Sequence, residues 1–373
     1  MYVAFRADAS LQIGTGHVMR CLTLADALRE RGAKCIFVCR PHQGHLLDLV
    51  IQRGHEALAL PELQESAQPD LNGTAHAHWL GTHWTKDAQD TQQTLSARKG
   101  QLVDWLVVDH YALDARWEQA LRPQVQRIMV IDDLADRPHA CDLLLDQNLG
   151  RSNRDYEGLL RGKTTTLIGL HYALLRPEFA ALRADSLARR QTNSQLRRLL
   201  ITMGGVDKDN ATGEVLAALK CCNLPVDLQV IVVMGPYAPW RAQVQAQAAQ
   251  MPWPTEVLVG VDNMAHLMAE SDLAIGAAGS TSWERCCLGV PTIQVALAQN
   301  QEAIAQALSR AGAALMLPCQ AIAETLPSLI STLASADQLY AVSLAASSVT
   351  EGKGALFVCE FMKVDDENHA LMQ

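Results

Sequence analysis

His17 follows Gly14 and Gly16 where a short apolar run, residues 2–5, gives way to apolar positions at helical spacing over residues 17–30. A loop of this kind presents its side chains outside the carboxyl end of the strand, where open α/β sheets bind ligands. An imidazole there can be neutral near pH 7 and take a proton from water or a hydroxyl. A helix-start histidine bonded only to backbone is the plainer reading of the same residue. Arg20, one turn on, either pairs with Asp8 or is solvated. Three later apolar runs also end in polar groups: Asp109-His110-Tyr111, Asp132-Asp133 and Asp146-Gln147-Asn148. Loop closure explains any one of them; three in succession favour a site. Their carboxylates can orient a histidine, bind ligand hydroxyls or hold a metal. A bridge to Arg137 inside the same domain is equally open.

The second half holds a clearer ligand motif, Gly276-Ala277-Ala278-Gly279-Ser280-Thr281, with Glu284 shortly after it. Small residues let backbone approach a ligand. Ser280 or Thr281 can cap the helix that follows, and a helix start suits a diphosphate. A carboxylate about one turn in, Glu284, can accept both hydrogen bonds of a ribose diol, as acidic residues do in dinucleotide sites. An ordinary capped helix with an acidic first turn fits the same residues. Gly204-Gly205, after another buried run, is a second place for close approach, while Asp207 and Asn210 read as caps of the next helix. His76, His78 and His83 have no cysteine or carboxylate at zinc-like spacing and read as loop histidines. No Gly-x-Ser-x-Gly elbow and no Gly-Lys-Ser/Thr phosphate loop occurs, which argues against a serine hydrolase or a P-loop enzyme.

These residues must be held by elements that alternate. Continuous apolar runs such as residues 35–39 are the mark of strands buried on both faces, and helical patterns separate them. The class is therefore α/β, with two Rossmann-like parallel-sheet domains facing across a cleft. The polar stretch 191–195 is the expected linker. It sets an N-terminal domain at residues 1–185, a C-terminal domain at 196–345, and a C-terminal helix and tail at 346–373. A chain of 373 residues is long enough for two full cores. Net charge is −9, which argues against a nucleic-acid partner. The ten cysteines include no Cys-x-x-Cys pair and read as reduced thiols. No basic-then-apolar leader and no membrane-length apolar run is present, so the expected protein is cytoplasmic, with no membrane insertion.

Several motifs together resemble one enzyme family. They are Arg6-x-Asp8-x-Ser10-x-x-Ile13-Gly14-x-Gly16-His17-Val18-Met19-Arg20-Cys21-Leu22, Trp79-Leu80-Gly81, Asp87-Ala88, Asp109-x-Tyr111-x-Leu113-Asp114, Ile131-Asp132-Asp133-Leu134-Ala135-Asp136-Arg137, Asp146-Gln147-Asn148, the 172–179 stretch YALLRPEF, and Met203-Gly204-Gly205-x-Asp207. The family is the UDP-2,4-diacetamido-2,4,6-trideoxy-β-L-altropyranose hydrolases of pseudaminic acid biosynthesis, similar in fold to GT-B glycosyltransferases. The resemblance runs up to about residue 305. It implies that the C-terminal domain binds UDP and that His17 acts on a water attacking the anomeric carbon, with inversion and without metal or cofactor. It implies that Glu284 takes the ribose, and that Tyr111 and Asn300 approach the sugar or phosphates. Gly14, Gly16, Gly204, Gly205, Gly279, Ser280 and Thr281 complete the expected substrate-binding set. Ala278 stands where the family's loop has glycine. The chemistry is self-consistent. Ordinary glycosides need an acid for a poor leaving group. A nucleoside diphosphate leaves as a stabilised anion, so one base and an anion-binding site suffice. A GT-B glycosyltransferase or a UDP-sugar epimerase would use the same donor site, and a nucleotide-sugar sensor would bind without turnover.

Overall fold

The computed structural model describes residues 1–62, 73–97, 102–192 and 195–363. The chain divides into two units. One comprises Met1–Leu174 and the helix Gly354–Phe361; the other is Leu175–Lys353.

The first unit is built on seven parallel strands: β1 (Tyr2–Ala7), β2 (Lys34–Cys39), β3 (Glu56–Ala59), β4 (Val103–Asp109), β5 (Val125–Ile131), β6 (Leu143–Asp146) and β7 (Thr165–Ile168). Their order is β3-β2-β1-β4-β5-β6-β7. Side chains alternate between two cores, as a period of two requires. Val3, Phe5, Phe37, Val107 and Met129 pack beneath the helix Gly16–Glu30, while Ala4, Ile36, Val38, Leu106 and Ile128 pack on the other face with Trp117. Register sets Ala7 beside Asp109, so the ends of β1 and β4 lie together where the helix Gly16–Glu30 begins. Ala355, Val358, Cys359 and Met362 enter the first of these cores, and the Trp105 indole donates to the Met362 carbonyl at 2.9 Å.

The second unit has six parallel strands: β8 (Arg198–Thr202), β9 (Gln229–Met234), β10 (Thr255–Val259), β11 (Leu273–Ala277), β12 (Thr292–Val295) and β13 (Leu315–Leu317). Their order is β10-β9-β8-β11-β12-β13. Two Rossmann-like parallel-sheet units are therefore present, as the alternating pattern implies. β7, β13 and the helices Ala115–Leu121 and Arg241–Ala248 are additions to that reading.

The unit boundaries differ from those expected. The crossing falls after Leu174, not at the expected linker of residues 191–195, because the helix Pro177–Thr192 belongs to the second unit. Its arginines bind carbonyls of that unit. Arg183 donates to the carbonyls of Cys287, Ser347 and Thr350, and Arg190 to those of Leu288, Ser271 and Met268. The second unit then runs to Lys353 rather than 345, and the helix after it returns to the first unit.

Candidate active site

His17 occupies the first turn of the helix Gly16–Glu30 and is only 7% exposed. Its Nδ1 lies 2.6 Å from Oδ1 of Asp109, the last residue of β4. Arg20 shares the same helix face, one turn on. It grips Asp109 with two bonds, Nε to Oδ2 at 2.6 Å and Nη2 to Oδ1 at 2.7 Å, and reaches Asp133 through Nη1 at 2.6 Å. Burial would raise the Asp109 carboxyl, but Arg20 and His17 outweigh it and hold the group well below the usual carboxylate range. Asp109 is then an acceptor only, so the neutral His17 ring keeps its proton on Nδ1 and its lone pair on Nε2. Nε2 has no partner among the described residues.

Asp8 is not the partner of Arg20. Its Oδ1 accepts from Arg6 and from the Arg40 backbone N–H, at 2.6 and 2.7 Å. Arg6 projects from β1 itself and reaches Asp8 first.

An aromatic wall stands beside His17. The Tyr111 ring meets it edge-on at 4.5 Å between centroids, and Trp79 stacks on Tyr111 at 5.6 Å. The Tyr111 hydroxyl donates to Asp133 Oδ2 at 2.7 Å, and burial pushes that phenol well above its ordinary range. Tyr111 thus fixes the His17 ring and leaves its hydroxyl committed to protein. His76 packs on Trp79 and Tyr111 at 4.6 and 5.3 Å, with Nδ1 buried and unpartnered, and burial lowers its pKa. His76 is thus a loop histidine that packs on the aromatic wall beside His17. Nothing in its spacing reveals this, because it arrives through a turn. The motif Trp79-Leu80-Gly81, which begins three residues later, is the nearest signal. His83 caps the helix Trp84–Ser96 by accepting from Thr85 N–H at 3.3 Å.

The other strand-end carboxylates divide by role. Asp132 pairs with Arg137 at 2.8 Å and accepts from Tyr156 and the Ala135 N–H, so the bridging alternative describes it. The same Tyr156 oxygen lies 2.9 Å from Asp146 Oδ2, and burial followed by the nearby Asp133 pushes the Asp146 carboxyl up to about 7. Among the described residues, no group of three or more His, Cys, Asp or Glu is placed to hold a metal ion. Gly14 has φ of +82°, the left-handed conformation that its turn onto Ser10 requires, and Gly16 opens the helix.

In the second unit, Gly204 has φ of +86° with open space where a Cβ would project. Gly205 packs against Gly235, whose missing side chain leaves room for the Gly205 backbone. Asp207 accepts from the N–H groups of Ala211 and Thr212, and Asn210 from that of Gly213, so both cap the helix Ala211–Leu219. Capping fails at the other loop. Ser280 precedes the helix Thr281–Cys287, but its backbone is already helical, φ −57° and ψ −27°, and its hydroxyl makes no cap bond. A capping residue ordinarily has non-helical backbone, which lets its oxygen fold back onto the first turn. The Thr281 hydroxyl instead accepts from Arg285 at 3.2 Å. Gly279 comes within 3.7 Å of the Gln301 amide, measured from the position of an added Cβ. Glu284 is partly buried, 3.6 Å from Arg176; burial raises its pKa and Arg176 opposes the rise. Asn300 lies in the helix Gln299–Arg310, but its side chain is outside the described set.

Residues 199–355 match the glycosyltransferase family 28 C-terminal domain. A UDP-2,4-diacetamido-2,4,6-trideoxy-β-L-altropyranose hydrolase of Campylobacter jejuni is 25% identical over 313 residues, 84% of this chain and 97% of that protein. The chain resembles this hydrolase over most of its length. The Bacillus subtilis spore coat polysaccharide biosynthesis protein SpsG is also 25% identical, over 85% of this chain and 84% of its own. Among solved structures, Acinetobacter baumannii MurG superposes with a TM-score of 0.68 at 18% identity, covering 97% of this chain and 99% of its own. The fold is that of the GT-B glycosyltransferases.

Proposed function

We propose that this protein is a nucleotide-sugar hydrolase that releases UDP from a UDP-linked 2,4-diacetamido-2,4,6-trideoxy sugar. The observation that carries the reading is the His17–Asp109–Arg20 arrangement. Arg20 fixes both oxygens of Asp109, Asp109 fixes the tautomer of His17, and Nε2 is left as a base. In this reading Nε2 takes a proton from the attacking water, and the Asp109 carboxylate stabilises the imidazolium that forms. The leaving UDP needs no acid, which fits a site with one free base. Attack opposite the departing diphosphate inverts the anomeric centre.

The second unit supplies the nucleotide contacts in this reading. Glu284 accepts from the ribose, while Gly204, Gly205, Gly279, Ser280 and Thr281 border the phosphates. Asn300 reaches the sugar or the phosphates, and Tyr111 acts by holding His17. Similarity to the Campylobacter hydrolase favours water as the acceptor. The family 28 domain and the MurG likeness favour a second reading, transfer to an organic acceptor from the same donor site.

The test is incubation with UDP-2,4-diacetamido-2,4,6-trideoxy-β-L-altropyranose in buffer without acceptor, followed by NMR and mass analysis. Hydrolysis gives UDP and free sugar, inverted at the earliest times. Turnover that appears only when an acceptor is added selects the transferase reading instead.

A further inference from the structure

Arg285 is 1% exposed, and no carboxylate lies within salt-bridge reach of it among the described residues. Its neighbour Glu284 is turned to Arg176. Burying a charge is costly unless it is paired, so interiors rarely hold a lone guanidinium. Its surroundings make room for it all the same. A Cβ on Gly276 would lie 2.7 Å from Arg285 Nη1 and 2.9 Å from the Thr202 carbonyl, so glycine at 276 leaves room for both the neighbouring strand and this cation.

The guanidinium folds back under residues 276–282. Nη2 donates to the Ala277 carbonyl at 2.8 Å and to Ser282 Oγ at 3.1 Å, Nη1 donates to Thr281 Oγ1 at 3.2 Å, and Nε has no partner. A hydroxyl that accepts from a guanidinium keeps its own proton to give away. Neither hydroxyl donates to another described residue. The loop is therefore backed by an unpaired positive charge, with the partly exposed Thr281 hydroxyl set as a donor and Ser282 buried behind it. That is the complement of an anion. Burial lowers the guanidinium to about 10, so it stays charged at neutral pH and an anion nearby would relieve the strain of its isolation.

We infer that Arg285 is a positioning residue for the diphosphate of a nucleotide ligand, supplying counter-charge from beneath the loop and holding Thr281 as a donor. This rests on the nucleotide-sugar reading above. The test is calorimetric titration of the whole protein with UDP, uridine and inorganic pyrophosphate, in wild type, Arg285→Gln, Arg285→Lys and Thr281→Val.

Arg285→Gln should weaken UDP and pyrophosphate by roughly 10-fold or more, the usual worth of a charge-assisted contact, and uridine by about 2-fold or less. Arg285→Lys should restore part of the UDP affinity. Thr281→Val, which keeps the shape and removes one donor, should show the same split between UDP and uridine; it decides the matter if Arg285→Gln does not fold. Equal losses for UDP and uridine would mark a merely structural arginine and overturn the inference, as would unchanged UDP affinity, while leaving the nucleotide-sugar reading intact. Wild type that binds neither UDP nor pyrophosphate would overturn both.

Discussion

A histidine becomes a useful base when something decides which nitrogen holds its proton. Here the decision is made by Asp109, and Asp109 is itself held by two bonds from Arg20. Each partner can be removed separately. His17→Ala should abolish turnover while UDP binding, by calorimetry, stays within about 2-fold of wild type, because in the proposed function the base touches water and not nucleotide. Asp109→Asn keeps the shape but can present an N–H to Nδ1, which moves the imidazole proton to Nε2. It should lower kcat by roughly 100- to 10,000-fold with little change in UDP affinity. Unimpaired hydrolysis by a folded Asp109→Asn protein would remove the dyad from the mechanism. In the proposed function Glu284 should behave in the opposite way. Glu284→Ala should weaken UDP more than it lowers the rate at saturating substrate, since a ribose contact acts on binding in ground and transition states alike.

At the scale of elements, the carboxyl ends of β4, β5 and β6 carry charges that are balanced to different degrees. Asp146 holds its proton to about pH 7 in the native protein, against an ordinary value of 3.8. Its raised pKa means that the native state binds the proton more tightly than the unfolded chain. The resulting stability is present below pH 4 and is lost as pH rises through 7. His139 adds a second loss. Burial alone would discharge it, but Asp132 and Glu118 outweigh burial and push it up to about 9, so its contribution holds below 6.5 and fades as pH passes 9. Asp146→Asn cannot ionise. It should therefore be more stable than wild type at pH 8 by roughly 1–3 kcal/mol and no more stable at pH 4, read from denaturant midpoints across that range. A constant offset at every pH would mean that packing, not ionisation, governs the site.

The same elements show what could be read without coordinates. Runs such as Val103–Asp109 and Leu273–Ala277 announce themselves because central parallel strands are buried on both faces. The edge strand Thr165–Ile168 does not, because half of its residues are only partly buried. The polar stretch 191–195 looks like the linker because nothing local shows that the arginines of the helix before it, Pro177–Thr192, reach carbonyls far along the chain. At the site, His17 and the three polar strand ends were legible from position alone. Arg20's true partners were not, since the choice among Asp8, Asp109 and Asp133 depends on which strands are neighbours. His76 was hidden for the same reason: a turn brings it onto Tyr111.

For the whole molecule, the chain leaves the first unit at Leu174 and returns to it at Gly354. The first fold is thus completed only after the second has been made. Ala355, Val358, Cys359 and Met362 are buried in the core that also contains Val18, Leu22 and Trp105. At roughly 1–3 kcal/mol for each large apolar side chain, removing them costs an amount comparable with the 5–15 kcal/mol by which ordinary domains are stable. The Trp105 indole would also lose its acceptor, the Met362 carbonyl. A chain ending at Lys353 should therefore lose amide protection in β1, β2 and β4 while β8, β9 and β11 keep theirs, measured by hydrogen exchange. In the proposed function such a chain still binds UDP but no longer turns substrate over, because the unit carrying His17 has lost its support. Full protection of β4 in the shortened chain would show that the returning helix only covers the first unit. Loss of protection in both sheets would show instead that the two units fold as one cooperative body.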